Sequence, residues 1–501
     1  MIDLQDVLLD INLAVFYYAL EATWERCLWE RYELLPGDPA EIRPVSVDLL
    51  DAFLVTRERQ DRLTAHLIEQ TVRHLKRPPS FREASHVRPV VAIRKEGRRQ
   101  RLTLGDIHVR SWAGTVASAM RIVVRQQYYS DLWYAQSSAR PGLTLDLVLK
   151  AWEVISTASQ TLVNRLKEQS LPEHDIKGHA PVLHVDALCQ AIQSAVEIPY
   201  ALARLLMDFL VYKGQEGDDL WAQPLIAVSD DRVAPVLMTA CNPQVRRIID
   251  IWLARLGIEV REKGNAFEAH VRTVIGHAAA HSKHLSDTVV LPSEFKFRID
   301  RKRIEEIDLV VVCGPIVIVG ECKCNVLPDE PRDWHKHREI VYKAVDQISR
   351  KAKAVDCNKA LFLEQLKERS IHLPEHFDVL PIVVLNTALH AGIKHHGVPV
   401  VDVPMLETYF AGYIRNGTVE REDGELDVVP ELWLYPDAEA ARERLTDYLC
   451  APPQLRRLWN SVRDCSIPLS VSTAADGLIA VLHSREIAID AAPILKSLSS
   501  M

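Results

Sequence analysis

Residues 308–323 read Asp-Leu-Val-Val-Val-Cys-Gly-Pro-Ile-Val-Ile-Val-Gly-Glu-Cys-Lys, two β-branched runs around Gly314-Pro315. The pattern predicts a hairpin whose turn is type II′, with positive φ at Gly314 and negative φ at Pro315. Pairing Cys313 with Ile316 sets Asp308 directly opposite Glu321, with Cβ atoms about 5 Å apart. Side chains alternate along a strand, so Lys323 shares the face of Glu321. Away from that end both faces are apolar, with Val310, Val312, Val317 and Val319 on one and Leu309, Val311, Ile316 and Ile318 on the other. A sheet buried on both faces needs helices on both sides, so the expected core is α/β with three α/β/α layers.

Two carboxylates and an ammonium on one patch of an apolar sheet are costly unless they serve a reaction. Divalent-metal phosphodiester hydrolysis is the chemistry that fits. Asp308 and Glu321 can share a Mg²⁺ (or Mn²⁺), with the Cys322 backbone carbonyl, waters and a phosphate oxygen completing the octahedron. The metal would acidify a bound water, and Lys323 would orient or deprotonate it and stabilise the transition state. The other reading of the same residues is a buried hairpin closed by a strand-end Glu-Lys salt bridge.

These residues resemble the PD-(D/E)XK superfamily, the restriction-endonuclease-like nucleases. Asp308 matches its strand-initial Asp, Glu321 its acidic residue and Lys323 its lysine, with Ile307-Asp308 in place of Pro-Asp. The resemblance covers roughly residues 264 to 405. It implies an order of helix, three-stranded meander, helix and strand. A helical stripe from Asn265 to His281, a strand at Phe295–Ile299, a helix capped by Asp333 with Val341, Val345, Ile348, Ala352 and Val355 inward, and strands at 380–385 and 398–403 follow that order. The resemblance further implies that Glu268 contacts the metal and that Gln347 lies near the site, although either residue also reads as an exposed helical side chain. Lys351, one turn further on, could reach phosphate, with a surface lysine as the default reading.

Other motifs carry less. Cys322 and Cys324 point away from the Glu321 face, and no second cysteine pair stands at zinc spacing. His335 and His337 are two apart on a helix, cannot chelate one ion, and read as a solvated basic turn. No G-x-x-x-x-G-K-[ST] occurs, so no P-loop is encoded here.

The remaining 501-residue chain frames this core. Net charge is −8, so affinity for nucleic acid must be local. It concentrates between Arg73 and Arg101, where ten Lys and Arg face only Glu83 and Glu96. Arg94, Lys95, Arg98, Arg99 and Arg101 are the candidates for phosphate contacts, a solvated loop or ribbon being the bland reading. Residues 1–255 read as a mainly helical binding or assembly region, with helices at 8–32, 45–75, 144–166 and 185–212. A nuclease-like domain follows at 256–410 and a small α+β domain at 411–501. Nine unpatterned cysteines, no leader pattern and no long uncharged apolar run suggest a cytoplasmic, membrane-free protein. The expected partner is nucleic acid, DNA before RNA, with a homodimer if both strands are cut and a protein activator as a further partner. Large helical additions to such cores resemble anti-phage defence effectors. A catalytically silent scaffold that binds nucleic acid through its helical region is the alternative.

Overall fold

The computed structural model describes residues 4–76, 87–97, 99–106, 132–167, 181–215, 217–243, 245–258, 260–328, 330–371, 373–414, 418–420, 426–428, 432–470 and 478–488. The chain is mixed α/β and divides into two compact units. One holds Met1–Ala19 with Thr64–Ala266, the other Leu20–Leu63 with Phe267–Met501. Residues 20–63 and the tail thus fall in the same unit as residues 267–410.

The first unit is less purely helical than its stripes suggest. Helices Leu145–Lys167, Val185–Val196, Tyr200–Phe209 and Val245–Arg255 accompany a four-stranded sheet of Leu183–His184, Arg232–Pro235, Leu225–Ser229 and Val211–Tyr212. Strands of two to five residues carry too few alternations to be read from sequence. The expected helix over 185–212 breaks in two. Glu197 takes a left-handed φ of 59°, and Pro199, which disfavours helix at the residue before it, caps the second piece.

The N-terminal helix Leu4–Trp29 departs from expectation in another way. It is the one helix among the described residues long and apolar enough, by length and composition, to cross a membrane. Asp10 and Glu21 interrupt its apolar sequence. The uncharged stretch is only 11–20.

In the second unit, helix α1 (Val260–Ala280, its first turns shared with the other unit) leads into a six-stranded sheet. Its strands are β1 (Val289–Val290), β2 (Leu309–Cys313), β3 (Ile316–Lys323), β4 (Asp378–Leu385), β5 (Ile393–His395) and β6 (Val398–Asp402). Their order is β5-β6-β4-β3-β2-β1. The β2–β3 hairpin has the expected register, from Leu309 opposite Gly320 to Cys313 opposite Ile316, and Gly314 has φ 60°. β3 runs parallel to β4, and helix α2 (Pro331–Cys357) makes the crossover. Val341, Val345, Ile348 and Val355 of α2 pack with Val317, Val319, Val383 and Leu385 of the sheet.

Two expectations need correction. Phe295–Arg298 does not join this sheet but pairs with Ile304–Ile307 in a separate ribbon, and β1 takes the place beside β2. The chain bends at Asp308, which divides one long strand into two ladders. Asp333 does not cap α2. Glu330 is the N-cap and Pro331, with φ already helical and no N–H to satisfy, starts the helix, leaving Asp333 in the first turn.

The tail completes another sheet. Val462–Ser470 and Leu478–Ile487 form a hairpin, and the latter strand runs parallel to Ala40–Pro44. The segment 20–63 is also clamped to the six-stranded sheet. Arg59, in the helix Val47–Lys76, binds both oxygens of Asp402, with Nη2 3.0 Å from Oδ1, and Gln60 Oε1 accepts from Ala388 N at 2.7 Å.

His337 is not part of a solvated turn. It stands four residues before Val341 on the buried stripe of α2, 3% exposed, and stacks on His390 with centroids 5.6 Å apart. His390 in turn meets His395 edge-on at 5.7 Å. Burial holds His337 and His395 down to about 4, and burial together with its two neighbours holds His390 well below the ordinary value. Among the described residues His337 Nδ1 and His395 Nε2 have no hydrogen-bond partner, so a proton there would be uncompensated. Unfolding frees these rings to take up protons near pH 6.5. The unfolded state then binds more protons, so stability intact above pH 6.5 is lost as pH falls toward 4. At pH 5 the loss is about 2 kcal/mol each for His337 and His395 acting independently, and His390 adds to it in the same direction. Urea unfolding at pH 7.5 and pH 5 should show this drop, and His395→Phe should shrink it. Equal drops in the two proteins would remove the histidines as its cause.

Candidate active site

Alternation along β3 puts Val317, Val319, Glu321 and Lys323 on the face that packs against α2. The apolar register runs out at Gly320, and charged groups occupy the same face for the last residues of the strand. Glu321 is 4% exposed. Its Oε1 accepts from Lys323 Nζ at 2.7 Å, and its Oε2 accepts from Lys351 Nζ at 2.5 Å.

Asp308 reaches the same place from the bend before β2. The β2–β3 ladder ends at the Leu309–Gly320 pair, and Asp308 Oδ2 accepts the amide of Cys322 at 2.9 Å. The side chain thus continues the pairing that the bent backbone gives up. Arg272 of α1 donates through Nη1 to the Asp308 carbonyl at 2.6 Å and fixes the bend from the other side. Asp308 Oδ1 lies 3.8 Å from Lys351 Nζ, so the two carboxylates share one ammonium.

The electrostatics follow from crowding. Burial pushes the Asp308 carboxyl above its usual range and the Glu321 charge pushes it further, against the pull of Lys351 and the Cys322 amide. Glu268, on α1 one turn before Arg272 and 3.6 Å from it, is pushed up to about 7, by burial first and by Asp308 next, with Glu321 also contributing. Glu268 therefore borders the same acidic cluster. Cys322, on the opposite face of β3, is buried and its thiol is held well above its usual value, chiefly by burial.

Gln347 is exposed on α2, one turn before Lys351. The residue that reaches the acids is Lys351, read from sequence as a surface lysine. It is 8% exposed. The signal was available, since position 351 lies three after Ile348 and seven after Ala344, on the stripe that faces the sheet. A lysine in a buried stripe needs an acid opposite it.

The donor set can be tested against a metal. Among the described residues no three His, Cys, Asp or Glu close into a ligand group. Asp308 and Glu321 offer hard carboxylate oxygens on one shared cation, which suits an ion that takes one or two carboxylates and fills the rest with water and substrate oxygen. That describes Mg²⁺, and Mn²⁺ accepts the same donors. No family model matches the chain, and no curated protein or solved structure matches it either.

The basic segment of the first unit is partly a β-ribbon, Val90–Glu96 with Arg99–Leu104. Arg94 pairs directly across from Arg101, and Arg99 shares their exposed face. Lys95 pairs with Gln100, which turns inward to bond Val182 O and His184 N. Lys95 therefore points from the other face. Arg77, Arg82 and Arg98 lie outside the described residues.

Proposed function

We propose that the chain is a Mg²⁺-dependent phosphodiester hydrolase, an endonuclease acting on DNA, built on a three-layer α/β/α core of the restriction-endonuclease type. The observation that carries the reading is the shared cation of Asp308 and Glu321, with Lys323 on the same face. Three separate stretches of chain, the bend, β3 and α2, converge on one point at a sheet end. Interior charge clusters of this kind concentrate at functional sites.

Asp308 and Glu321 would hold the ion, with Glu268 at its border and the Cys322 carbonyl as a further oxygen donor. When bound, Mg²⁺ supplies an acidified water and neutralises charge on the scissile phosphate. Lys323 would orient the attacking water through its ammonium and would meet the charge growing on the phosphoryl oxygens. The Asp308–Cys322 hydrogen bond keeps the first carboxylate from rotating away. Arg94, Arg99 and Arg101, on one exposed face of the ribbon, suit phosphate contacts without base reading. A cytoplasmic anti-phage role, a homodimer and a protein activator belong to the same reading as its biological setting.

The self-neutralised state of the cluster supports a second reading. Glu321 has an ammonium on each oxygen, as a purely structural ion network would. In that case the chain is a silent scaffold that binds nucleic acid through the basic ribbon.

Incubation of purified protein with supercoiled plasmid, single-stranded DNA or RNA, with Mg²⁺ or with EDTA, separates these. Metal-dependent cleavage of DNA that falls at least about 10²-fold in Lys323→Met is expected. Equal cleavage by Lys323→Met and the unaltered protein would remove this cluster from catalysis, and no cleavage of any substrate would favour the scaffold. Cleavage of RNA alone would move the substrate class.

A further inference from the structure

We propose that Lys351 is a resident counter-cation which competes with the divalent ion for Asp308 and Glu321, and so sets the metal concentration at which the site loads. The inference rests on the metal-site reading above and concerns its regulation. An ammonium 2.5 Å from Glu321 Oε2 and 3.8 Å from Asp308 Oδ1 occupies the region between the carboxylates that their shared ion would need. Lys323 differs in position. It meets Glu321 through Oε1, 2.7 Å away on the strand itself, where it can stay while Oε2 changes partner.

Burial makes the competition strong. Glu321 and Lys351 are 4% and 8% exposed, so neither charge can be traded for bulk water when they separate. Without a cation the two acids would repel in a poorly solvated place. Lys351 keeps the apo fold intact and the site closed to weakly held ions. Lysine suits this work because its charge is compact and rides on a four-carbon stem that can turn aside while α2 keeps its packing.

The test reads metal binding without turnover. Mn²⁺ titration followed by electron paramagnetic resonance is applied to the full chain, to Lys351→Met and to Lys351→Arg, with no nucleic acid present. Lys351→Met should bind Mn²⁺ about tenfold or more tightly than the unaltered protein, while Lys351→Arg, which keeps the charge, stays near it. Binding by Lys351→Met alone would support the inference in its strongest form, a fully locked site. Equal or weaker binding by Lys351→Met, beside clear binding by the unaltered protein, would overturn the inference and leave the metal site standing. Absence of Mn²⁺ binding in all three would overturn the metal reading and this inference together. Should Lys351→Met not fold, Lys351→Gln, which keeps a hydrogen-bond donor for Glu321, takes its place in the comparison.

Discussion

Asp308→Asn should lower Mg²⁺-dependent cleavage about 10³-fold while leaving the protein as stable as before, or more so, in the absence of metal. The side-chain amide keeps the shape of the carboxylate, and its oxygen can still accept the Cys322 amide that Asp308 Oδ2 holds at 2.9 Å. The geometry of the bend therefore survives. What disappears is a charge that burial and Glu321 both disfavour, so its loss removes a penalty from the folded state. Glu321 keeps both its lysines. Added Mg²⁺ should raise the thermal midpoint of the unaltered protein and not that of the variant, since a ligand stabilises only the state it binds. Two measurements decide the matter, a cleavage time course and a melting curve with and without Mg²⁺. A variant that cuts normally would remove Asp308 from catalysis. One that is inactive and also unfolded would instead make it a structural residue.

Asp402→Ala should be the most destabilising of the substitutions considered, by about 3–5 kcal/mol. Three interactions end at that carboxylate. It binds the Arg59 guanidinium through both oxygens, and its Oδ1 caps the helix Val403–Ala411 by accepting Met405 N at 3.0 Å. Alanine would strand Arg59, 8% exposed, without its anion, and leave the helix start uncapped, itself worth about 1 kcal/mol. The loss should also loosen residues 47–63 from the sheet, because Gln60 beside Arg59 holds Ala388 N. Urea unfolding gives the magnitude, and amide exchange at residues 55–62 gives the place. A drop below about 1 kcal/mol would mean that the pair only breaks even against its desolvation.

Legibility from sequence followed the range of the interactions. The β2–β3 register was readable because a two-residue turn and strict alternation leave one pairing, and that pairing alone brought Asp308 to Glu321. The inward stripe of α2 was readable for the same local reason. His337 and Lys351 sit on that stripe too, but their polarity points to solvent while their position points inward, and position decides. The break at Pro199 is a local signal, since proline disfavours helix at the residue before it. The ribbon Phe295–Arg298 was assigned to the wrong sheet because a bend at one residue divides a ladder without any local composition to mark it.

The chain's own order of residues determined the hairpin, its turn, the facing acids and the lysine two positions on, since each depends on neighbours a few residues away. Tertiary structure alone decided that Lys351 closes on those acids, that Arg59 anchors to Asp402 across 343 positions, and that the last strand pairs with residues 40–42. Such contacts form between surfaces whose orientation depends on every intervening bend. No local pattern carries that information, and only the packed whole fixes it.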